Sequence, residues 1–413
     1  MKTRHNILYL TYDGLKDPLG QSQVLPYLEG LAAKGFNITV ISFEKSQSPN
    51  TKTATHQDRA NSRLRFVELK YHKSPPVLSS LYDIYVLKKA VRKVLAMQHI
   101  DIIHCRSYIT SLVGLWAKKR FGVKFLFDMR GFWADERVEG GLWNIKNPVF
   151  NSVYKYFKNK EKEFLLNADA TVSLTESAKR EIEVKIIPNK QIDITVLTTC
   201  TDLQLFDGKN ASEMEGRMLK RKHGIEPDEF VLLYLGSLGT WYMLDQMLDF
   251  FLELKNSRNE MGQSTKFLFV SSDKELVRRR VRKRELDKDD FIITSCQRSE
   301  VPRYIAISDA SIFFYINTFS RKATAATKLG EVLAMGKPVI TDVFWGDVKS
   351  IVTDNQTGIL ISDFSQEGYR IAISKLNSTN FDSEQIRTLA KMHFSLEAGI
   401  EKYHEIYQKL MSN

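Results

Sequence analysis

The chain has 413 residues, 43% hydrophobic and 26% charged, with a net charge of +11. That length is too great for one ordinary core and suits two domains of about 200 residues each. The composition is that of a globular protein, with no internal repeat and no run of about 18 apolar residues, which excludes fibrous, disordered and membrane-spanning helical classes.

MKTRHNILYLTYD begins with basic residues, but its apolar stretch runs only from Ile7 to Leu10 and reads as a buried first strand, not a signal peptide. SQVLPYLEGLAAKG predicts a helix ending at Gly35, followed by the strands NITVISFE and RLRFVELK. Then come the helix LYDIYVLKKAVRKVLAMQ, the strand DIIHCRS, the helix SLVGLWAKKRFG and the strand KFLFDMRG. The rhythm breaks over residues 195–208, a predicted linker. It resumes with the strand EFVLLYLGSLG, the helix YMLDQMLDFFLELKN, the strands KFLFVSS and FIITS, and the helix–strand pair VPRYIAISDASIFFY. The apolar spacing of Ile400, Tyr403, Tyr407 and Leu410 predicts a closing helix. Strand and helix in turn argue for an α/β protein of two Rossmann-like, doubly wound domains facing one another across a cleft, with ligands at the C-terminal strand ends. The expected limits are 1–198 for the first domain, 199–394 for the second and 395–413 for the final helix.

ATAATKLGEVLAMGKPVITD, Ala323 to Asp342, carries the strongest chemical signal. It reads as a loop, a short helix capped by Thr327 with Leu329, Val332 and Leu333 on its apolar face, a stop at Gly336, and a strand. A helix opened by small residues offers unpaired amides to a phosphate. Glu331, one turn beyond Thr327, is placed to accept hydrogen bonds from ribose hydroxyls. Phosphate and ribose together indicate a nucleotide. In the first half, Gly14 and Gly20 lie in a loop before a helix expected to open near Gln21 and Ser22, a second amide-rich helix end without a clean G-x-G-x-x-G. DMRGFWADERVEGGLW follows a strand and brings Arg130, Trp133 and Asp135 to a position where loops commonly form sites.

TKLGEVLAMGKPVI resembles the nucleotide-binding signature of retaining family-4 glycosyltransferases, whose fold is the two-domain GT-B. The resemblance implies transfer of a sugar from a nucleotide-sugar donor to an acceptor hydroxyl with retained configuration. Surface polysaccharide or lipid-linked glycan assembly is the setting it suggests. It also implies a last helix that packs back on the first domain. Glu331 takes the place of the second Glu of a Glu-x7-Glu motif, and the first falls on Ala323. Gly20, Gln21 and Ser22 are similar to the loop lining the reacting centre. Arg130 stands where many members carry a sugar-contacting His, and Trp133 and Asp135 fall on the acceptor side. YLGSLGTWYML resembles a turn that normally carries an Arg and a Lys for the donor diphosphate. Here Gly236 and Ser237 hold that turn, Trp241 and Tyr242 replace the Lys, and no cation remains. Arg321, Lys322 and Lys328 are the candidate substitutes, and a CMP-activated donor is the competing account, with UDP or GDP favoured. Arg298 and Val301 fall in the segment that cups the base, and Thr327, Lys328 and Leu329 at the phosphate-facing helix end. Gly20, Gln21, Arg130 and Lys328 are the expected catalytic group.

No metal or other cofactor is expected, since no His or Cys cluster has ligand spacing and the Asp-x-Asp of DKDD (287–290) reads as a solvent-facing turn. KELVRRRVRKR spreads its charge around a helix without interleaved aromatics, so no nucleic-acid partner is expected. His104 reads as a packed residue. Residues 1–195 carry 31 Lys plus Arg against 19 Asp plus Glu, whereas residues 196–413 carry 29 against 30. That asymmetry, with Lys88, Lys89, Arg92 and Lys93 on one helix and Lys155, Lys158, Lys160 and Lys162 on another, suggests an anionic membrane leaflet as partner for the first domain. The scattered Cys105, Cys200 and Cys296 suit reduced thiols in the cytoplasm, with a peripheral position on the inner face of the membrane. A nucleotide-sugar-binding protein without activity, or an epimerase of the same fold, is the alternative.

Overall fold

The computed structural model describes residues 5–45, 63–352 and 356–412. The chain forms two compact units, Met1–Thr198 with Leu396–Asn413, and Thr199–Ser395.

The first unit is built on a parallel sheet of seven strands: β1 (Asn6–Thr11), β2 (Asn37–Glu44), β3 (Leu64–Lys70), β4 (Ile102–Arg106), β5 (Lys124–Asp128), β6 (Ala170–Ser173) and β7 (Ile194–Val196). Their order is β3-β2-β1-β4-β5-β6-β7. The central strands are continuous apolar runs because helices cover both faces; Ile7, Leu8, Leu10, Ile102, Ile103, Phe125, Leu126 and Phe127 are all buried. The chain reverses direction across the sheet between β1 and β4, and at such a switch point the loops part and leave a crevice above the strand ends.

Helices here begin earlier than the sequence pattern indicated. One spans Leu78–Met97 and the next Ser107–Phe121, each extended by a turn at its N-terminus. The closing helix, Leu396–Ser412, buries Gly399, Tyr403, Ile406, Tyr407 and Leu410 in this unit. It lies against the helix Leu25–Ala33, with Tyr27 and Tyr403 in edge-to-face contact at 5.6 Å. Its polar rim is tied by Lys34–Glu401 and Lys409–Asp193 ion pairs.

The second unit has six parallel strands: β8 (Phe230–Leu235), β9 (Thr265–Val270), β10 (Phe291–Thr294), β11 (Ala310–Phe313), β12 (Val339–Asp342) and β13 (Gly358–Ile361), in the order β10-β9-β8-β11-β12-β13. Its core is rich in aromatics, with Phe250, Phe251, Phe267, Phe269, Phe313 and Phe314 fully buried. The switch point lies between β8 and β11, so the segments that follow those two strands flank the crevice. These are residues 236–243 and 314–326.

Candidate active site

The helix Thr327–Ala334 stands beside the crevice of the second unit. Ala326, not Thr327, is its N-cap, and no side chain caps it; Thr327 is the first helical residue. A small residue at the cap leaves the leading amides uncovered. Leu329, Val332 and Leu333 anchor the helix in the core, and the Leu329 amide donates to the Ala326 carbonyl at 3.0 Å, so the uncovered amides are those ahead of it. The helix closes at Met335, and Gly336 takes the left-handed conformation at φ 73°, as the sequence indicated.

Two ionisable side chains on this helix are buried: Lys328 is 8% exposed and Glu331 6%. The Lys328 ammonium sits among aromatic faces, 3.9 Å from the ring centroid of Tyr242, 4.3 Å from that of Tyr234 and 5.4 Å from that of Phe313. Among the described residues its hydrogen-bond acceptor is the Tyr234 hydroxyl, at 3.2 Å. Burial lowers its pKa from 10.5 to about 7, with Glu331 pulling weakly the other way. Gly236, at φ 104°, follows β8 directly, and a Cβ there would lie 3.5 Å from the Lys328 ammonium. That contact would be an ordinary one, so it is the backbone conformation, which other residues resist, that calls for glycine here.

Glu331 is not a lone acid. Its Oε1 accepts from Arg298 at 2.7 Å, and that guanidinium packs 5.3 Å from the Phe206 ring. Burial raises the Glu331 pKa and Arg298 opposes the rise. Arg298 therefore faces the site through its side chain, from the 3-10 turn Arg298–Glu300, while Val301 opens the helix Val301–Ala306 behind it. Arg321 is 5% exposed; its guanidinium stacks 4.1 Å from the Trp241 ring and 5.7 Å from the Tyr315 ring. Lys322 lies 5.2 Å from the Phe319 ring. Ser237 is exposed, and its carbonyl accepts from the Tyr234 hydroxyl at 2.8 Å. Asp342, at the end of β12, accepts from the amides of Tyr315 and Phe344, fixing the segment after β11. Ala323, at the place of the missing Glu, is 2% exposed in a 3-10 turn.

In the first unit the expected loop-to-helix junction is displaced. The helix opens at Pro18, so Gly20 lies inside it and Gln21 and Ser22 are in its last turn. Pro18 explains the shift, since proline is preorganised for the first helical position. Gly20 is demanded by packing, because a Cβ there would lie 2.2 Å from the Gly14 carbonyl and 2.6 Å from Leu15 Cα. Gln21 donates to the Leu15 carbonyl at 2.6 Å and Ser22 to the Pro18 carbonyl at 2.9 Å. These three residues shape the turn after β1.

Arg130 is left-handed at φ 57° and lies 3.9 Å from Asp128. Arg106 at the end of β4 reaches Asp13 after β1 at 3.1 Å, an ion pair across the switch point. Asp128 also accepts from Tyr403 of the closing helix at 3.1 Å. Although its burial raises the pKa, Arg130, His104 and Arg106 together hold it below the usual carboxylate value. His104 is a packed residue, bonded to the Tyr407 hydroxyl at 2.7 Å, and its pKa is lowered by burial.

Asp135 does not stand on an acceptor-facing surface. Its oxygens accept from Tyr154 at 2.9 Å and Lys158 at 2.7 Å, and Lys158 also bonds Glu161, itself paired with Tyr108. Lys158 is thereby drawn inward and leaves the set of surface cations. Trp133 stacks on Tyr108 at 5.8 Å and meets Trp143 and Phe157 edge-on, keeping part of its ring exposed. Asp287 and Asp289 are solvent-facing, but Asp290 is buried against Lys255 at 2.6 Å.

Two family models cover these units in turn: "Glycosyltransferase Family 4" matches residues 21–204 and "Glycosyl transferases group 1" residues 217–391. The chain is a family-4-like glycosyltransferase of the GT-B type. A D-inositol 3-phosphate glycosyltransferase from Thermomonospora curvata is 20% identical to it over 320 residues, 75% of this chain and 71% of that one. Sucrose-phosphate synthase from Thermosynechococcus elongatus superposes with a TM-score of 0.72 at 16% identity, covering 99% of this chain and 100% of that one. Anabaena HepE in complex with UDP and glucose gives 0.67 at 12% identity, covering 97% and 99%. The residues of this glycosyltransferase that sequence reasoning missed are the aromatics Tyr234, Tyr315 and Phe313 around Lys328 and Arg321. Their signal was present in the dense YLGSLGTWY and FFY segments at the ends of β8 and β11.

Proposed function

We propose that this glycosyltransferase takes its sugar from a nucleotide-sugar donor held by the second unit, and passes it to an acceptor hydroxyl with the anomeric configuration retained. The observation that carries the reading is Lys328, buried in an aromatic cage beside the β8/β11 switch point with a tyrosine hydroxyl, not a carboxylate, as its hydrogen-bond partner. A buried cation whose direct partner is a hydroxyl, with the nearby Glu331 already bonded to Arg298, is placed to receive an anion, and the adjoining helix amides add to the same field. Lys328 and Arg321 then supply the positive charge that the β8 turn lacks. Glu331, one turn along, receives the ribose, and Arg298 with Val301 lies toward the base. UDP or GDP is favoured over CMP because a diphosphate matches two cations. HepE, which binds UDP, shares the fold.

In the reaction, the bond between the anomeric carbon and the diphosphate oxygen breaks, and an acceptor oxygen bonds that carbon from the same face. The acceptor proton passes to the departing phosphate oxygen. Lys328, Arg321 and the amides of the helix that Thr327 opens stabilise the charge that grows there. Arg130 is the first unit's candidate for an anionic group of the sugar or acceptor through paired hydrogen bonds.

A glycan or lipid-linked acceptor, and a peripheral place on an anionic leaflet, gain support from the helix Leu78–Met97. Leu78, Leu81, Tyr82 and Tyr85 are more than half exposed on the same helix side as the exposed Lys89, Arg92 and Lys93. Among the described residues no helix is long and apolar enough to cross a membrane.

Thermal-shift screening of UDP-, GDP- and CMP-sugars tests the donor. Glu331→Ala on the best of them should then weaken binding by about 1.5–3 kcal/mol, the worth of a charged hydrogen bond. Stabilisation by none of the three classes would refute the reading. Donor turnover by the purified protein separates a transferase from an inactive binder, and liposome flotation that is equal on anionic and neutral vesicles would remove the membrane partner.

A further inference from the structure

Glu331 and Arg298 form a pair that no sequence motif requires. The acid comes from the helix Thr327–Ala334 and the guanidinium from the turn after β10, 33 positions apart in sequence. The contact joins Oε1 of Glu331 to one terminal nitrogen of Arg298 at 2.7 Å, and among the described residues no hydrogen bond is made to Oε2. The guanidinium is held in turn by the Phe206 face. Arg298 is one-third exposed and Glu331 is nearly closed off, so a ligand hydroxyl reaching the carboxylate arrives beside the arginine.

We propose that Arg298 is the positioning residue of sugar-nucleotide recognition: it pins one oxygen of Glu331 so that the other is presented to the ribose and discriminates ribose from 2′-deoxyribose. This rests on the donor site described above. A carboxylate has four lone-pair directions on two oxygens. With Oε1 fixed by a charged bond, rotation about the last side-chain torsion is stopped and Oε2 keeps one orientation. Burial alone would favour the protonated acid, which donates where a ribose hydroxyl needs an acceptor; Arg298 opposes that. Lys328, the other cation acting on Glu331, is itself held partly neutral by burial and cannot replace it. Phe394 and Thr201, which close on the same helix at Gly330, bring no charge.

The test is calorimetric binding of UDP and 2′-deoxy-UDP, with GDP and 2′-deoxy-GDP in parallel, to the full-length protein and to Arg298→Gln, Arg298→Lys and Glu331→Gln. For the base that binds, the unmodified enzyme should prefer the ribonucleotide by about tenfold to a hundredfold, the range of one charged hydrogen bond. Glu331→Gln and Arg298→Gln should each reduce that preference to within about threefold, and Arg298→Lys should restore most of it. Weakening of both sugars equally in Arg298→Gln, with the preference intact, would overturn the proposal while leaving the donor site standing. If Glu331→Gln also left ribonucleotide affinity and preference untouched, the donor-site reading itself would fall.

Discussion

Replacing Lys328 by Met tests the physics of the site without any ligand. Methionine has a similar length and suits an aromatic cage, so the substitution removes the charge with little change in volume. In the folded protein Lys328 loses its proton near pH 7; in the unfolded chain it does so near 10.5. Between those values the unfolded state binds the extra proton, so stability rises with pH across that window. The penalty for burying the ammonium is therefore fully present below about pH 7 and gone by about 10.5. A drop of that size corresponds to about 4–5 kcal/mol at 1.36 kcal/mol per pKa step. Water entry and side-chain rearrangement around the charged form reduce what unfolding reports, and we expect Lys328→Met to be more stable by about 2–4 kcal/mol at pH 6.5. Urea denaturation of both proteins at half-unit steps from pH 6.5 to 10 reads the difference directly. It should shrink steadily with pH, and nucleotide binding should be lost in the Met variant throughout. A stability difference that stays flat over that range would refute the argument that Lys328 is held unpaired against its ordinary ionisation.

Lys158→Met should destabilise the first unit by about 3–5 kcal/mol, because it strands the buried carboxylates Asp135 and Glu161, which share this cation; chemical denaturation checks it, and Lys158→Met combined with Glu161→Gln should recover part of the loss. Gly20→Ala should cost about 1–3 kcal/mol and displace the turn after β1, since the added methyl would overlap the Gly14 carbonyl and the Leu15 backbone; an unchanged melting temperature would show that the turn yields freely.

What could be read from the sequence followed from periodicity and local chemistry. The parallel strands announce themselves as short apolar runs, and the helix at Thr327 is bounded by small residues before it and Gly336 after it. The opening of the helix at Pro18 is equally local, since proline favours the first helical position, but Gly14 and Gly20 on either side of it fit a loop as well. Through-space partners were not legible. Lys158–Glu161 lie three apart and could be paired on a helix, yet nothing local ties them to Asp135 or Tyr108. Likewise the bonds from the closing helix to Asp128 and His104 cross more than 270 positions. In the sequence, missing cations after β8 looked like a defect. The structure brings Lys328 to that turn from a helix, against Tyr242 in the vacated neighbourhood and against Tyr234 and Phe313 of β8 and β11.

That exchange alters when the electrostatic work is done. A cation on an exposed turn is hydrated until its phosphate arrives, and binding must strip the water from both partners. Lys328 has already lost its water on folding, and the rings of Tyr234, Tyr242 and Phe313 return only part of what hydration gave. An arriving diphosphate then meets an amine ready to take up a proton in a low-dielectric pocket, where the new charge pair is strong. The destabilisation stored at Lys328 in the empty enzyme and the affinity of the proposed site for an anion are two sides of one free-energy difference. A variant that gains the first must lose the second.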